Sequence, residues 1–133
     1  MKSILIIDDE KAICESIKMI LEYEGYNVSY STSPVEGLQN FLSNQYSALL
    51  LDIQMPEMNG FEVLKKAKEN NPSVSVIIIS AHGNVENAVK ATRLGAFDFI
   101  EKPIDRDKLL ISVRNAVEQA KLITENLEIK KSL

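Results

Sequence analysis

With 133 residues, 45% hydrophobic and 26% charged, the chain is long enough to bury one domain-sized core without metal or disulfide staples. Its formal net charge of -4 argues against a nucleic-acid-binding surface. The lone Cys14 excludes an internal disulfide and fits a reducing compartment. No segment reaches membrane length, and the apolar run Ser3 to Ile7 is too short for a signal peptide, so a cytoplasmic protein is expected.

Apolar runs alternate with helical patterns five times. Ser3 to Ile7 reads as a buried strand that ends in Asp8-Asp9-Glu10. A helix follows on Ile13, Ile17, Ile20 and Leu21, with Gly25 as its stop signal. Cys14 lies inside it and reads as a small buried hydrophobe. Tyr26 to Ser31 is a second strand. Ser33-Pro34 supplies an N-cap and a first-turn proline, and Glu36 completes a candidate capping box. The second helix runs to about Leu42 on Val35, Leu38, Phe41 and Leu42. Ala48 to Leu51 is a continuous apolar run, long enough for a strand buried on both faces and too short for a helix. It ends in Asp52, and Met55-Pro56 stops regular structure.

Asn59-Gly60 marks a turn, and Phe61, Leu64 and Ala67 carry a third helix to about Glu69 before Asn71-Pro72. Val74 to Ile79 is a fourth strand, ending in Ser80-Ala81-His82-Gly83. A fourth helix begins near Asn84 and uses Val85, Ala88, Val89 and Ala91 before Gly95. Phe97 to Ile100 is a short fifth strand, ending in Glu101-Lys102-Pro103. Asp105 caps a last helix on Leu109, Leu110, Val113 and Val117. Strands alternating with helices, several of them apolar on both faces, imply an α/β fold with a parallel sheet covered on two sides. Right-handed crossovers leave few doubly wound orders, of which 2-1-3-4-5 is the commoner for five strands.

In that order Asp8, Asp9 and Asp52 meet at one edge of the sheet, where such folds place their ligands. Carboxylates crowded together repel one another and call for protonation or a cation, and oxygen ligands of this kind suit Mg2+. Ser80 and Lys102 reach the same rim, offering a hydroxyl and an ammonium to an incoming phosphoryl group. Each has a plainer alternative. Asp52 can be a turn former, Asp8-Asp9 can cap the first helix, Ser80 can be a turn serine and Lys102 a solvated surface lysine. Their coincidence at the ends of four strands favours a common site.

The motifs Ile6-Ile7-Asp8-Asp9-Glu10, Leu51-Asp52-Ile53-Gln54-Met55-Pro56, Ser80-Ala81 and Lys102-Pro103 resemble those of receiver domains of two-component response regulators, over about residues 3 to 120. The resemblance implies a flavodoxin-like fold with Asp52 as phosphoacceptor. It implies Mg2+ held directly by Asp9, Asp52 and the Gln54 backbone carbonyl, with Asp8 acting largely through bound water. It implies that Ser80 and Lys102 contact the phosphoryl oxygens, that small Ala81 leaves them room, and that Lys102–Pro103 is cis. It also implies a phosphohistidine donor on a partner histidine kinase, with slow self-hydrolysis secondary, so a phosphoacceptor and not a conventional enzyme. Phe99 matches the switch aromatic, expected to turn into space that Ser80 vacates, although the residues alone favour reading a Phe there as plain core. Gln54 and His82, each two residues past a site residue, are candidates for tuning hydrolysis.

The Ser80-Ala81-His82 turn and Gly95-Ala96-Phe97-Asp98-Phe99 are similar to the nitrogen-regulatory class, which implies an AAA+ ATPase and a DNA-binding domain outside this chain. Residues 1–120 are expected to form the receiver and 121–133 the start of a helical linker. Val113, Ala116, Ala120, Ile123 and Leu127 fall three and four apart, as on a coiled-coil seam, so a dimer is expected through this helix or the face of helix four, strand five and helix five. The competing readings fit less well. A flavodoxin-like cofactor binder wants a glycine- or hydroxyl-rich loop after the first strand, a haloacid-dehalogenase-type phosphatase wants an Asp at position 54, and a dinucleotide enzyme wants Gly-x-Gly-x-x-Gly. A receiver-like interaction module that takes no phosphate stays open.

Overall fold

The computed structural model describes residues 2–81 and 84–132. Among these, five strands alternate with five helices: β1 Ser3–Ile7, α1 Lys11–Tyr23, β2 Asn27–Ser31, α2 Pro34–Ser43, β3 Ala48–Asp52, α3 Gly60–Asn70, β4 Ser75–Ser80, α4 Val85–Arg93, β5 Asp98–Glu101 and α5 Arg106–Ser132. The strands form one parallel sheet in the order β2-β1-β3-β4-β5, as expected. The second, fourth and fifth strands each begin one residue later than the apolar pattern suggests.

Alternation along the central strands divides the core in two. Ile4, Ile6, Leu50, Ile77 and Ile79 face α1 and α5, meeting Cys14, Ile17, Leu21, Leu109 and Val113. Leu5, Ile7, Leu49, Leu51, Val76 and Ile78 face α2, α3 and α4, meeting Leu38, Phe41, Val63, Leu64 and Ala91. No helix of the described residues is long and apolar enough to cross a membrane.

The ends of the helices follow local chemistry. α1 and α4 both end in a Schellman motif with a left-handed glycine, Gly25 at φ +95 and Gly95 at φ +99. Tyr26 N donates to Leu21 O and Gly25 N to Glu22 O, and Ala96 N and Gly95 N repeat the pattern on Ala91 O and Thr92 O. Ser33 Oγ accepts from Glu36 N at 3.3 Å. The capping box is only half formed, because Ser33 N donates to Ser31 Oγ instead. Asp105 Oδ2 accepts from Lys108 N at 3.0 Å, capping α5.

Three helical patterns are corrected. On α2 the buried arc is Pro34, Gly37, Leu38 and Phe41, so Val35 and Leu42, roughly 100° away around the helix, are exposed. On α4 only Ala91 is buried; Val85 and Val89 lie roughly 120° and 160° from it and face outward. On α5 the supposed seam is largely this domain's own contact stripe. Val113 and Ala116 sit in the core and Ala120 is buried, while Ile123 is half-buried and the side chain of Leu127 lies outside the described residues.

Candidate phosphoryl site

The parallel register sets the site's geometry. Ile7 pairs with Leu51, so Asp8 and Asp52 are the next residues on neighbouring strands. Asp52 pairs with Ile79, which puts Ser80 one step beyond, and Ser80 pairs with Glu101, the residue before Lys102. Lys102 N donates to Ser80 O at 2.8 Å, and the Lys102–Pro103 bond is cis.

Asp8 and Asp52 are held alike. Asp8 Oδ1 accepts from Glu10 N at 2.9 Å, and Asp52 Oδ1 accepts from Gln54 N at 3.1 Å. Each Asp caps the backbone two residues on, which leaves its second oxygen turned toward Lys102. Lys102 Nζ stands 2.9 Å from Asp8 Oδ2, 3.3 Å from Glu10 Oε1 and 3.5 Å from Asp52 Oδ2. The contact with Asp8 lies off the line of a hydrogen bond, so this buried oxygen meets charge without a donor. Asp8 therefore does not serve as the side-chain cap of α1. Glu10 stands at that N-cap, and its side chain caps nothing.

Burial dominates the electrostatics. Asp52, 3% exposed, has its pKa pushed up to about 6, first by desolvation and then by the Asp8 and Asp9 charges, against the opposing Gln54 N–H and Lys102. Desolvation likewise raises Asp8, outweighing the Glu10 N–H and Lys102. Burial alone would lower Lys102, but the carboxylates of Asp8, Asp52 and Glu10 raise it. The Cys14 thiol donates to Asp8 O at 3.3 Å and is pushed to about 12 by burial, so it is an inert core group.

Carboxylate oxygens of Asp8, Asp9 and Glu10 lie within 4.8 Å of one another. With Asp52 beside them four acids gather at this rim, and three of them, Asp8, Glu10 and Asp52, share one ammonium. An all-oxygen donor set of this charge, with one buried oxygen lacking a donor, fits a hard divalent cation such as Mg2+.

The remaining expected residues are distributed as follows. Gln54 is exposed, Ala81 is exposed beside buried Ser80, and Phe99 is half-buried against the α3 and α4 side of the core. His82 lies outside the described residues. Two residues at the site escaped the sequence reading. Glu10 adjoins the acid pair, and that adjacency was its only signal. Gly60 reads as a turn residue, but a Cβ there would stand 2.4 Å from Ile53 Cα and 2.5 Å from Asp52 O. With Gly60 N on Ile53 O at 3.3 Å, α3 starts directly against the end of β3. Only glycine allows that approach.

The family model for the response regulator receiver domain matches residues 4–114. An NtrX-like response regulator of Rickettsia bellii is 42% identical over 129 residues, 96% of this chain and 27% of its own length; the chain thus spans about a quarter of that relative. NtrX from Brucella abortus, in complex with ADP, superposes with a TM-score of 0.89 at 34% identity over 97% of this chain and 30% of that one. The beryllofluoride-activated NtrC4 receiver domain dimer gives 0.86 at 36% identity over 90% and 99%.

Proposed function

The chain belongs to the response regulator receiver domain family, with relatives of the NtrC-like class, and on that premise we propose that Asp52 accepts a phosphoryl group from a phosphohistidine on a partner histidine kinase. The observation that carries this reading is the convergence of Asp8, Asp52 and Glu10 on Lys102 at one rim of the sheet. A carboxylate oxygen of Asp52 forms the new P–O bond, the P–N bond to the donor breaks, and the imidazole leaves with its electron pair. With a pKa of about 6, Asp52 is mostly ionised at neutral pH and ready to attack.

Asp8, Asp9, Asp52 and the Gln54 carbonyl would hold Mg2+, which when bound neutralises charge on the nucleophile and the transferred group. Lys102 supplies a fixed positive charge to the phosphoryl oxygens, Ser80 a hydroxyl, and Ala81 the space for them. Ser80 is drawn toward the new group and Phe99 turns inward, altering the face of α4, β5 and α5. Because Phe99 has no hydroxyl, packing alone holds that state. Gln54 and His82 tune hydrolysis of the acyl phosphate.

Residues 1–120 act as the receiver, and residues 121–133 begin a linker toward an output domain that activates transcription. The altered face, and with it the α5 extension, pairs with a second copy. The activated NtrC4 receiver dimer supports this reading, as do the exposed Val85 and Val89 on α4 and Ile111 on α5.

Incubation with labelled acetyl phosphate and Mg2+ tests the assignment. The parent protein is expected to take up label and Asp52→Asn none. Label in Asp52→Asn at the parent's level would refute the role of Asp52. A parent that takes up none would be a receiver-like interaction module instead.

A further inference from the structure

Lys102 is ringed by carboxylates of its own protein, donating hydrogen bonds to Glu10 and Asp52 with Asp8 Oδ2 in charge contact beside them. An ammonium has three donors, and its nitrogen faces three carboxylates, at 2.9, 3.3 and 3.5 Å, with its side chain 8% exposed. With the side chain so enclosed, an incoming phosphoryl oxygen crowds these partners and gains the ammonium more easily when one of them withdraws. Asp8 and Asp52 cannot swing away readily, because each is buried and tied through Oδ1 to the backbone two residues on. Glu10 can. Its side chain is 57% exposed and is not spent on capping, although its backbone occupies the N-cap of α1. Among the carboxylates on Lys102 it is the only one with water to rotate into.

Resting on the reading of Asp52 as phosphoacceptor, we infer that Glu10 is a positioning residue: it holds Lys102 in the unphosphorylated protein and releases it when a phosphoryl group arrives. The contact keeps the ammonium over the site between events. It also sets a small barrier to uptake, because parting the pair costs energy. An exposed ion pair is weak, so the barrier is modest, a brake and not a block.

The experiment compares the parent with Glu10→Gln and Glu10→Asp. The first removes the charge; the second keeps it on a side chain one methylene too short to hold the contact. Uptake rates from acetyl phosphate are read at saturating Mg2+, and Mg2+ dissociation constants are read separately from amide shifts in NMR titrations. Both variants are expected to take up label about two- to fivefold faster than the parent, the range that an exposed pair supplies. Mg2+ affinity in Glu10→Asp should stay within about twofold of the parent.

Three results would overturn the inference. In the first, neither variant is faster. In the second, Glu10→Asp behaves like the parent while Glu10→Gln is faster, so that bare charge and not contact matters. In the third, Mg2+ binding weakens tenfold or more in both variants, which would make Glu10 a metal ligand. A parent that takes up no label at all fails the Asp52 reading itself, and that outcome is seen before any variant is compared.

Discussion

All five residues of β3 are buried, whereas α4 buries only Ala91 and leaves Val85 79% exposed. The proposed chemistry hangs from the first of these elements and the proposed readout from the second. A nucleophile must hold its place, so Asp52 ends the strand at the centre of the sheet, with helices on both faces. An element that answers one charge event must cost little to move, and α4 buries a single small side chain, Ala91, with the Lys90 ammonium 4.5 Å over the Phe61 ring as one of its links to α3. Local stability is thus unevenly shared between the two regions.

The difference can be broken by substitution. Leu51→Ala should cost about 3–4 kcal/mol in denaturant unfolding, since it empties a fully buried position between β3 and its helices. A cost under about 1 kcal/mol would deny β3 its central role.

Asp52→Asn should do the opposite and stabilise. The Asp52 pKa is about 6 in the folded protein against an ordinary 3.8, so the folded state holds this proton more tightly than the unfolded one. The parent's stability from this group is full below about pH 4 and is lost as pH rises through 6. The variant cannot ionise, and its advantage should grow over that window to at most about 3 kcal/mol. Mg2+ should narrow the gap by stabilising the parent more. Equal stability of the two proteins at pH 7.5 without Mg2+ would mean that the site does not strain its carboxylates.

Gly60→Ala should cost about 2 kcal/mol and slow phosphoryl uptake, because the new methyl meets backbone at the end of β3 and not a yielding side chain. Unchanged uptake would sharpen the view that β3 alone positions Asp52. The smallest effect is expected on α4, where Val85→Ala should shift stability by less than about 0.5 kcal/mol. A larger loss would place α4 among the rigid parts.

The sheet was readable because a strand buried on both faces is written as a run such as Leu49-Leu50-Leu51, and the boundaries between elements as Gly25, Pro34 and Asn59-Gly60. The convergence of Asp8, Asp52, Ser80 and Lys102 followed from strand order, since residues that end parallel neighbours must share an edge. Helix faces were read less well. Val35, Leu42, Val85 and Val89 are as apolar as their buried neighbours, and composition does not say which of two apolar flanks meets the sheet. The stripe on α5 showed the converse fault, because Val113 and Ala116 satisfy a coiled-coil spacing and a core spacing equally well.

Sequence by itself determined the class of fold and narrowed the strand order to a few, the commonest of which brings Asp8, Asp52 and Lys102 to one rim, because periodicity and chain connectivity are local and topological properties. Tertiary structure alone decided that Lys102 is already shared among Asp8, Glu10 and Asp52, and that Gly60 touches the end of β3. Those facts depend on ångström distances between segments far apart in the chain, and no spacing along the sequence encodes them.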